Sequence, residues 1–304
     1  MKNEQNFKQA LASQQIEWIN LINPSHDEVE RLSKLHDLDY QAIISALDEE
    51  ERSRVEFEDN YMMIIVDVPV SYDEDTYYST VPLGIIKTNQ TLITLCTKQL
   101  NVFNKRRLPT NSHINAYIYQ ILYNISILYL GYLRIIERKS TKVEKTLREA
   151  MKNEILFEML DLQKSLVYMS SSLKSNQIVL ERLLRIERRD TFEHDLLEDV
   201  IVENRQAIDM SKIYSNILNS NVDVFSNVIS NNLNIVMKFL TIVSVIIAVP
   251  TVVSSFWGMN VPVPFQDSVH GFLIVSIVAL IITIIAGIYI NTRQTTHQRR
   301  KKKK

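Results

Sequence analysis

Phe256-Trp257-Gly258-Met259-Asn260 decides the fold of this 304-residue chain, because it fills the break between two long apolar runs near the C-terminus. Upstream, Ile235 to Trp257 is apolar apart from Lys238 and a few small hydroxyl residues; downstream, Gly271 to Ile290 carries no charge. A helix needs about 20 residues to cross a bilayer, and each run is that long. The connector, Gly258 to His270, holds no Lys or Arg, whereas Arg293, Arg299, Arg300 and Lys301 to Lys304 follow the second run. Basic residues collect on the cytoplasmic side, so the tail is expected inside and the connector outside.

Two crossings return the chain to its starting side, which puts both termini and most of the mass in the cytoplasm. The expected organisation is a region at 1–112, a helical region at 113–234, a span at 235–257, a connector at 258–270, a span at 271–291 and a basic tail at 292–304. Of 34 basic and 35 acidic residues, eight and one fall after residue 234, which leaves 26 and 34 before it and a net charge of −8 there. An acidic body suits a protein that handles cations. The lone Cys96 excludes an internal disulfide and a multi-cysteine metal site, and it reads as a small buried hydrophobe in a strand. Met1 to Gln15 is polar and lacks the apolar core of a cleavable signal peptide.

Glycine and proline divide the rest. No proline occurs between Pro109 and Pro250, and Gly131 is the only glycine in that stretch, so it is built to be helical. Before it, Tyr61 to Val70 and Leu83 to Thr88 read as strands, and the Asn89-Gln90 break before Thr91 to Cys96 predicts a hairpin. Asp27 to Leu35 and Asp39 to Leu47 have helical spacing, which makes the first region mixed α/β.

Within the helical stretch, Ile155, Met159, Leu162, Leu166, Met169 and Leu173 recur as a heptad seam, either an oligomer contact or the packing of a helical hairpin. A further helix is expected from about Asp195 through the first span. Along it, Asp223, Asn227, Ser230, Asn234, Thr241, Ser244, Ala248, Thr251 and Ser255 recur at three, four or seven residues and so share one face. In hydrocarbon such a stripe faces protein or water rather than lipid. Small residues also serve close helix packing, but the stripe continues below the membrane as Asn and Asp, where packing would not require polarity. One chain supplies one lining helix, so a pore implies several copies around an axis.

These residues resemble the CorA-type divalent cation channels over nearly the whole length. The resemblance is carried by Arg54-Val55-Glu56-Phe57, Asn60-Tyr61, Asp199-Val200, Asp223-Val224, Val236-Met237-Lys238, Leu240-Thr241, Pro250 and Gly258-Met259-Asn260. It implies a homopentameric funnel with an α/β cytosolic domain, a long-helix stalk and a two-span membrane domain in an inner cell membrane. It also implies passage of magnesium, and of cobalt and nickel with it. Magnesium gives up its water reluctantly, so a mouth that offers Asn260 carbonyls, with Gly258 and Met259 beside them, recognises the hydrated ion without stripping it. None of the five glycines (84, 131, 258, 271 and 287) has a phosphate-loop or dinucleotide spacing, which excludes a P-loop pump. None is needed: a divalent ion crossing about 100 mV gains about 4.6 kcal/mol.

The resemblance further implies a regulatory magnesium held between cytosolic domains, with Asp199 as one carboxylate. Ser45 stands at the other position, and the nearby run Asp48, Glu49, Glu50 and Glu51 is either its substitute or a sign of weak sensing. Ala248 or Val249 replaces the family's bulky pore methionine, which leaves Met237 and Leu240 as apolar gate candidates. The outer loop offers Val261-Pro262-Val263-Pro264-Phe265 and one fixed charge, Asp267. The tail is expected to fix topology and contact anionic lipid. Two other readings remain open: a zinc transporter of the same fold, against which Met259 argues, and a non-conducting membrane-anchored sensor. The six histidines are scattered and no nucleophile arrangement stands out, so neither an enzyme nor a resident cofactor is expected. The basic tail directly follows a span, which argues against a nucleic-acid partner.

Overall fold

The computed structural model describes residues 2–71, 78–104, 108, 112–149, 153–189, 191–265 and 268–301. Elements follow in the order α1 (Lys2–Ala12), β1 (Glu17–Ile22), α2 (His26–His36), α3 (Tyr40–Ser45), β2 (Arg54–Phe57), β3 (Met62–Ser71), β4 (Tyr78–Lys87) and β5 (Thr91–Cys96). The helices α4 (Ile114–Glu149), α5 (Asn153–Ile186), α6 (Phe192–Trp257) and α7 (Gly271–Lys301) complete the chain. It divides into two units, 1–222 and 223–304, with the boundary inside α6.

In the first unit the β-branched runs build one sheet in the order β1-β5-β4-β3-β2, with β1 parallel to β5 and every other pair antiparallel. Asn89 and Gln90 turn β4 into β5, and Thr88 N–H donates to the Thr91 carbonyl at 3.0 Å. Every residue of β5 is buried, as a strand covered on both faces requires. One face packs Met63, Ile65, Ile86, Ile93 and Leu95 against Val29 and Leu32 of α2 and Ile43 of α3. A Cβ on Gly84 would meet Ala46 at 2.8 Å and Leu95 at 2.7 Å, so glycine is what lets the α3 end lie on the sheet here. The alternate residues Ile64, Val66 and Ile85 are buried on the other face, where α4 and α5 lie against β3.

α1, β1 and the short β2 escape the sequence pattern. α1 carries few apolar side chains, yet Phe7 is fully buried, its ring edge-on to Trp18 of β1 and to Tyr117 of α4. Tyr117 also donates its hydroxyl to the Ala10 carbonyl at 3.1 Å. β1 is half-buried, without the dense apolar run that marks β3 and β5.

The seam from Ile155 to Leu173 is buried within the chain at all six positions. Of the two readings, the structure selects intrachain packing, since α5 lies on α4 and on the sheet. Its polar anchor is Asn176, buried, whose Oδ1 accepts from Asp67 N–H at 2.9 Å and from the Ser53 hydroxyl at 3.0 Å. Asn176 Nδ2 donates to the Asp67 carbonyl at 2.8 Å, so a side chain on α5 continues the ladder of β3. In the lower part of α6, Leu196, Leu197, Val200, Ile201, Ala207 and Leu218 are buried. Asn204 fastens this helix to α5 by donating to the Leu173 carbonyl at 3.1 Å and to Gln177 Oε1 at 2.8 Å.

Burial pushes the Asp67 carboxyl above its ordinary range, opposed by hydrogen bonds from Ser172 and Ser53. The folded chain therefore keeps a proton that the unfolded chain has lost, and stability falls as pH rises from the ordinary carboxylate range through the raised pKa. Asp67→Asn is expected to flatten that fall, and so to gain thermal stability relative to wild type as pH goes from about 4 to about 8. Thermal unfolding across that range checks it; a variant that loses ground with rising pH contradicts it.

Candidate ion path and its mouth

Beyond Val222, α6 passes from an Asn- and Ser-rich segment into an apolar one, and from Asp223 to Trp257 only Phe225 is buried. The polar and small positions Asp223, Asn227, Ser230, Asn234, Thr241, Ser244, Ala248, Thr251 and Ser255 are all exposed. So are Met237 and Leu240. The least exposed line of the membrane segment is instead Ile242, Val245, Val249, Val253 and Trp257. At about 100° per residue this line lies roughly opposite the small polar stripe. Val253 and Trp257 share an apolar pocket with Ile274, Val275 and Val278, so this is the side that α7 covers. α7 contributes its own line of small buried residues, Gly271, Ala279 and Thr283. It continues as helix to Lys301, past the expected end of the span at 291.

The two threonine hydroxyls of the stripe have partners. Thr241 donates to the Met237 carbonyl at 2.8 Å and Thr251 to the Ile247 carbonyl at 2.7 Å, which satisfies each within its own helix. Pro250 has no N–H for the Ile246 carbonyl one turn back, so the ladder is interrupted inside the span.

At the end of α6, Gly258 N–H donates to the Ser254 carbonyl at 2.9 Å and Met259 N–H to the Phe256 carbonyl at 3.4 Å. A Cβ on Gly258 would stand 3.3 Å from the Ser254 oxygen, so glycine here serves a tight helix end. No described glycine has a positive φ. Met259 and Asn260 are exposed, and with Trp257, Val261, Pro262 and Val263 they line a depression of about 600 Å³. Asp267 and Lys302 to Lys304 lie outside the described residues.

In the first unit, Asp199 is exposed on the second turn of α6. Asp48 is exposed after α3, and its carboxylate accepts from Glu50 N–H at 3.0 Å. Ser45 accepts from Arg54 at 2.8 Å, and the same guanidinium pairs with Glu51 at 2.5 Å and Glu56 at 2.6 Å. The acidic run is thus already partly neutralised. Among the described residues, the group able to offer three metal ligands is His194, Asp195 and Glu198, with ligand atoms within 4.8 Å of one another. A search for paired histidines misses this set, because its signal is an imidazole with carboxylates one and four residues later. It sits on the first turns of α6, where the positive end of the helix dipole opposes a cation.

An α/β unit is followed by α6, whose C-terminal part is long and apolar enough to cross a membrane, and by a second such helix, α7, with a small polar stripe left exposed along α6. The chain belongs to the family described as CorA-like Mg2+ transporter protein, whose model matches residues 13–300. It is 30% identical over 285 residues to the cobalt/magnesium transport protein CorA of Methanocaldococcus jannaschii, covering 90% of this chain and 89% of that one. It is 22% identical over 288 residues to the magnesium transport protein CorA of Helicobacter pylori, covering 90% and 88%. The complete structure of the CorA magnesium transporter from M. jannaschii superposes with a TM-score of 0.79 at 29% identity, over 90% of this chain and 89% of that one. Members of this family move ions as substrate and are not enzymes.

Proposed function

We propose that this chain is the subunit of a homopentameric channel for hydrated divalent cations, chiefly Mg2+ with Co2+ and Ni2+, in a cell membrane with both termini cytoplasmic. The observation that carries the reading is the exposed stripe from Asp223 to Ser255 on the face of α6 turned away from α7. Copies arranged around an axis would turn that face inward, so that Asn227, Ser230, Asn234, Thr241, Ser244, Thr251 and Ser255 meet water and Ala248 keeps the bore open. Asp223 would concentrate cations at the inner end, and Met237 and Leu240 would form the apolar constriction that dewets when the pore shuts.

Asn260, with Gly258 and Met259, would form the selective mouth. A Mg2+ ion holds about six waters near 2.1 Å and gives them up slowly, so amide carbonyls that accept hydrogen bonds from those waters select the ion without trapping it. The names of the relatives, cobalt/magnesium and magnesium transport proteins, support Mg2+ and Co2+ as the cargo. The driving force is the membrane potential, about 4.6 kcal/mol per divalent ion at about 100 mV.

Asn260→Ala is expected to lower Mg2+ uptake by about tenfold or more while leaving the oligomer intact, and collapse of the potential should stop uptake by the wild type. Uptake by cells that depend on this protein, followed with a Mg2+-sensitive dye, checks both. Uptake unchanged by either treatment contradicts the channel reading.

Asp199, with Asp48 in support, would hold a regulatory Mg2+ between neighbouring cytosolic domains. Occupancy should then raise the protection of residues 1–222 against protease as Mg2+ rises through the millimolar range, and Asp199→Ala should remove the effect. Protection that does not respond to Mg2+ contradicts the feedback.

A further inference from the structure

A connector between two spans need only bridge their ends, and nothing in that task requires it to be clasped. Here it is clasped. Trp257, the last residue of α6, donates its indole N–H to the Pro264 carbonyl at 2.9 Å, which closes Gly258–Pro264 into a loop. The ring is also held from the far side: a Cβ on Gly271, the first residue of α7, would stand 3.3 Å from Trp257 Cζ2 and only 2.4 Å from the Phe265 carbonyl oxygen. Trp257 is accordingly half-buried, while its neighbour Phe256 is 66% exposed.

The return strand of the loop is under constraint as well. Phe265 has φ of +65°, the left-handed region that a bulky residue enters only when its surroundings impose it. Its carbonyl accepts from Ser268 N–H at 3.2 Å, and the Ser268 carbonyl accepts from Gly271 N–H at 2.9 Å. Pro262 and Pro264 fix two backbone angles of the segment. The shape of the exposed stretch that carries Asn260 is thus set by two prolines and by one hydrogen bond joining its ends.

We propose that Trp257 is a positioning residue for the mouth, whose indole hydrogen bond to Pro264 sets how Asn260 meets a hydrated divalent ion and so sets divalent-over-monovalent selectivity. The inference rests on the channel reading above. Recognition through an ion's own waters depends on where the acceptor oxygens stand, and a site that is loose by about an ångström loses discrimination before it loses its fold. Among the aromatic side chains, tryptophan alone pairs a broad apolar ring with an N–H donor. Phenylalanine keeps an aromatic ring against Gly271 and removes the donor. The Pro264 carbonyl, at the solvent-facing end of the span, can then bond to water, which separates positioning from folding.

The test uses the full chain purified in sealed liposomes, with Mg2+ and Na+ influx measured separately for wild type, Trp257→Phe and Gly271→Ala. Trp257→Phe is expected to assemble and melt like wild type, to raise the Mg2+ concentration for half-maximal influx about tenfold and to lower the Mg2+/Na+ flux ratio by a similar factor. Gly271→Ala, which displaces the Phe265 carbonyl and with it the acceptor of the clasp, is expected to lower the same ratio. The two changes combined should do no more than either alone. Should Trp257→Phe fail to assemble, the Gly271→Ala ratio decides. Wild-type flux with an unchanged ratio in the assembled variants overturns this inference alone, whereas absence of flux from the wild type overturns the channel reading and this inference with it.

Discussion

From Asp223 to Trp257 the chain offers α6 almost no cover of its own, and none of the apolar window that qualifies this helix as a span is buried within the chain. Water is a poor solvent for that much apolar surface in one piece, and the Asn, Ser and Thr positions on its other side favour protein or water over lipid. Both preferences are met when the helix separates two environments. On the proposed reading, α7 and lipid take the apolar side, and an aqueous or protein-lined space takes the small polar side. The proposed arrangement of copies around an axis and the proposed mouth at Asn260 follow the same division.

The first unit is organised differently. Its core is closed by its own chain: the sheet is covered on both faces, and the heptad seam of α5 is buried within the unit. Outside it leaves charge together with apolar side chains such as Phe157, Val167 and Ile178 of α5. Arg54 bridges Ser45, Glu51 and Glu56, so a fixed guanidinium already stands in the acidic run that would otherwise draw a divalent ion. Under the proposed feedback, this pairing would weaken the run as a Mg2+ site and put the weight on Asp199.

The legible parts of the sequence were those where one physical requirement dominates. Gly271 to Ile290 must be free of charge, β3 and β5 are dense in buried apolar residues, and the stretch without proline and with one glycine favours helix. Elements built by context were not legible. α1 is held by the aromatic group of Phe7, Trp18 and Tyr117, three residues more than a hundred positions apart in their span, and β1 is an edge strand with a half-polar pattern. The mouth was legible as a tripeptide but not as a geometry. Nothing in Phe256-Trp257-Gly258 announces an indole bond to Pro264, because that contact depends on how the loop returns. The two readings of the α5 seam were equally periodic, and burial alone separates them.

The central claim is that the small polar face of α6 meets water in the assembled protein, and thiol accessibility tests it most directly. The background is quiet, since Cys96 is the only cysteine and is buried, with its thiol pushed toward the unreactive protonated form by that burial. Single cysteines at Ser244, Ala248 and Thr251 should react with a charged, membrane-impermeant thiol reagent in the reconstituted protein and block Mg2+ influx. A cysteine at Ile246, 46% exposed in the isolated chain but on the side toward α7, should not. Reaction at Ile246 with none at the three stripe positions would contradict the account.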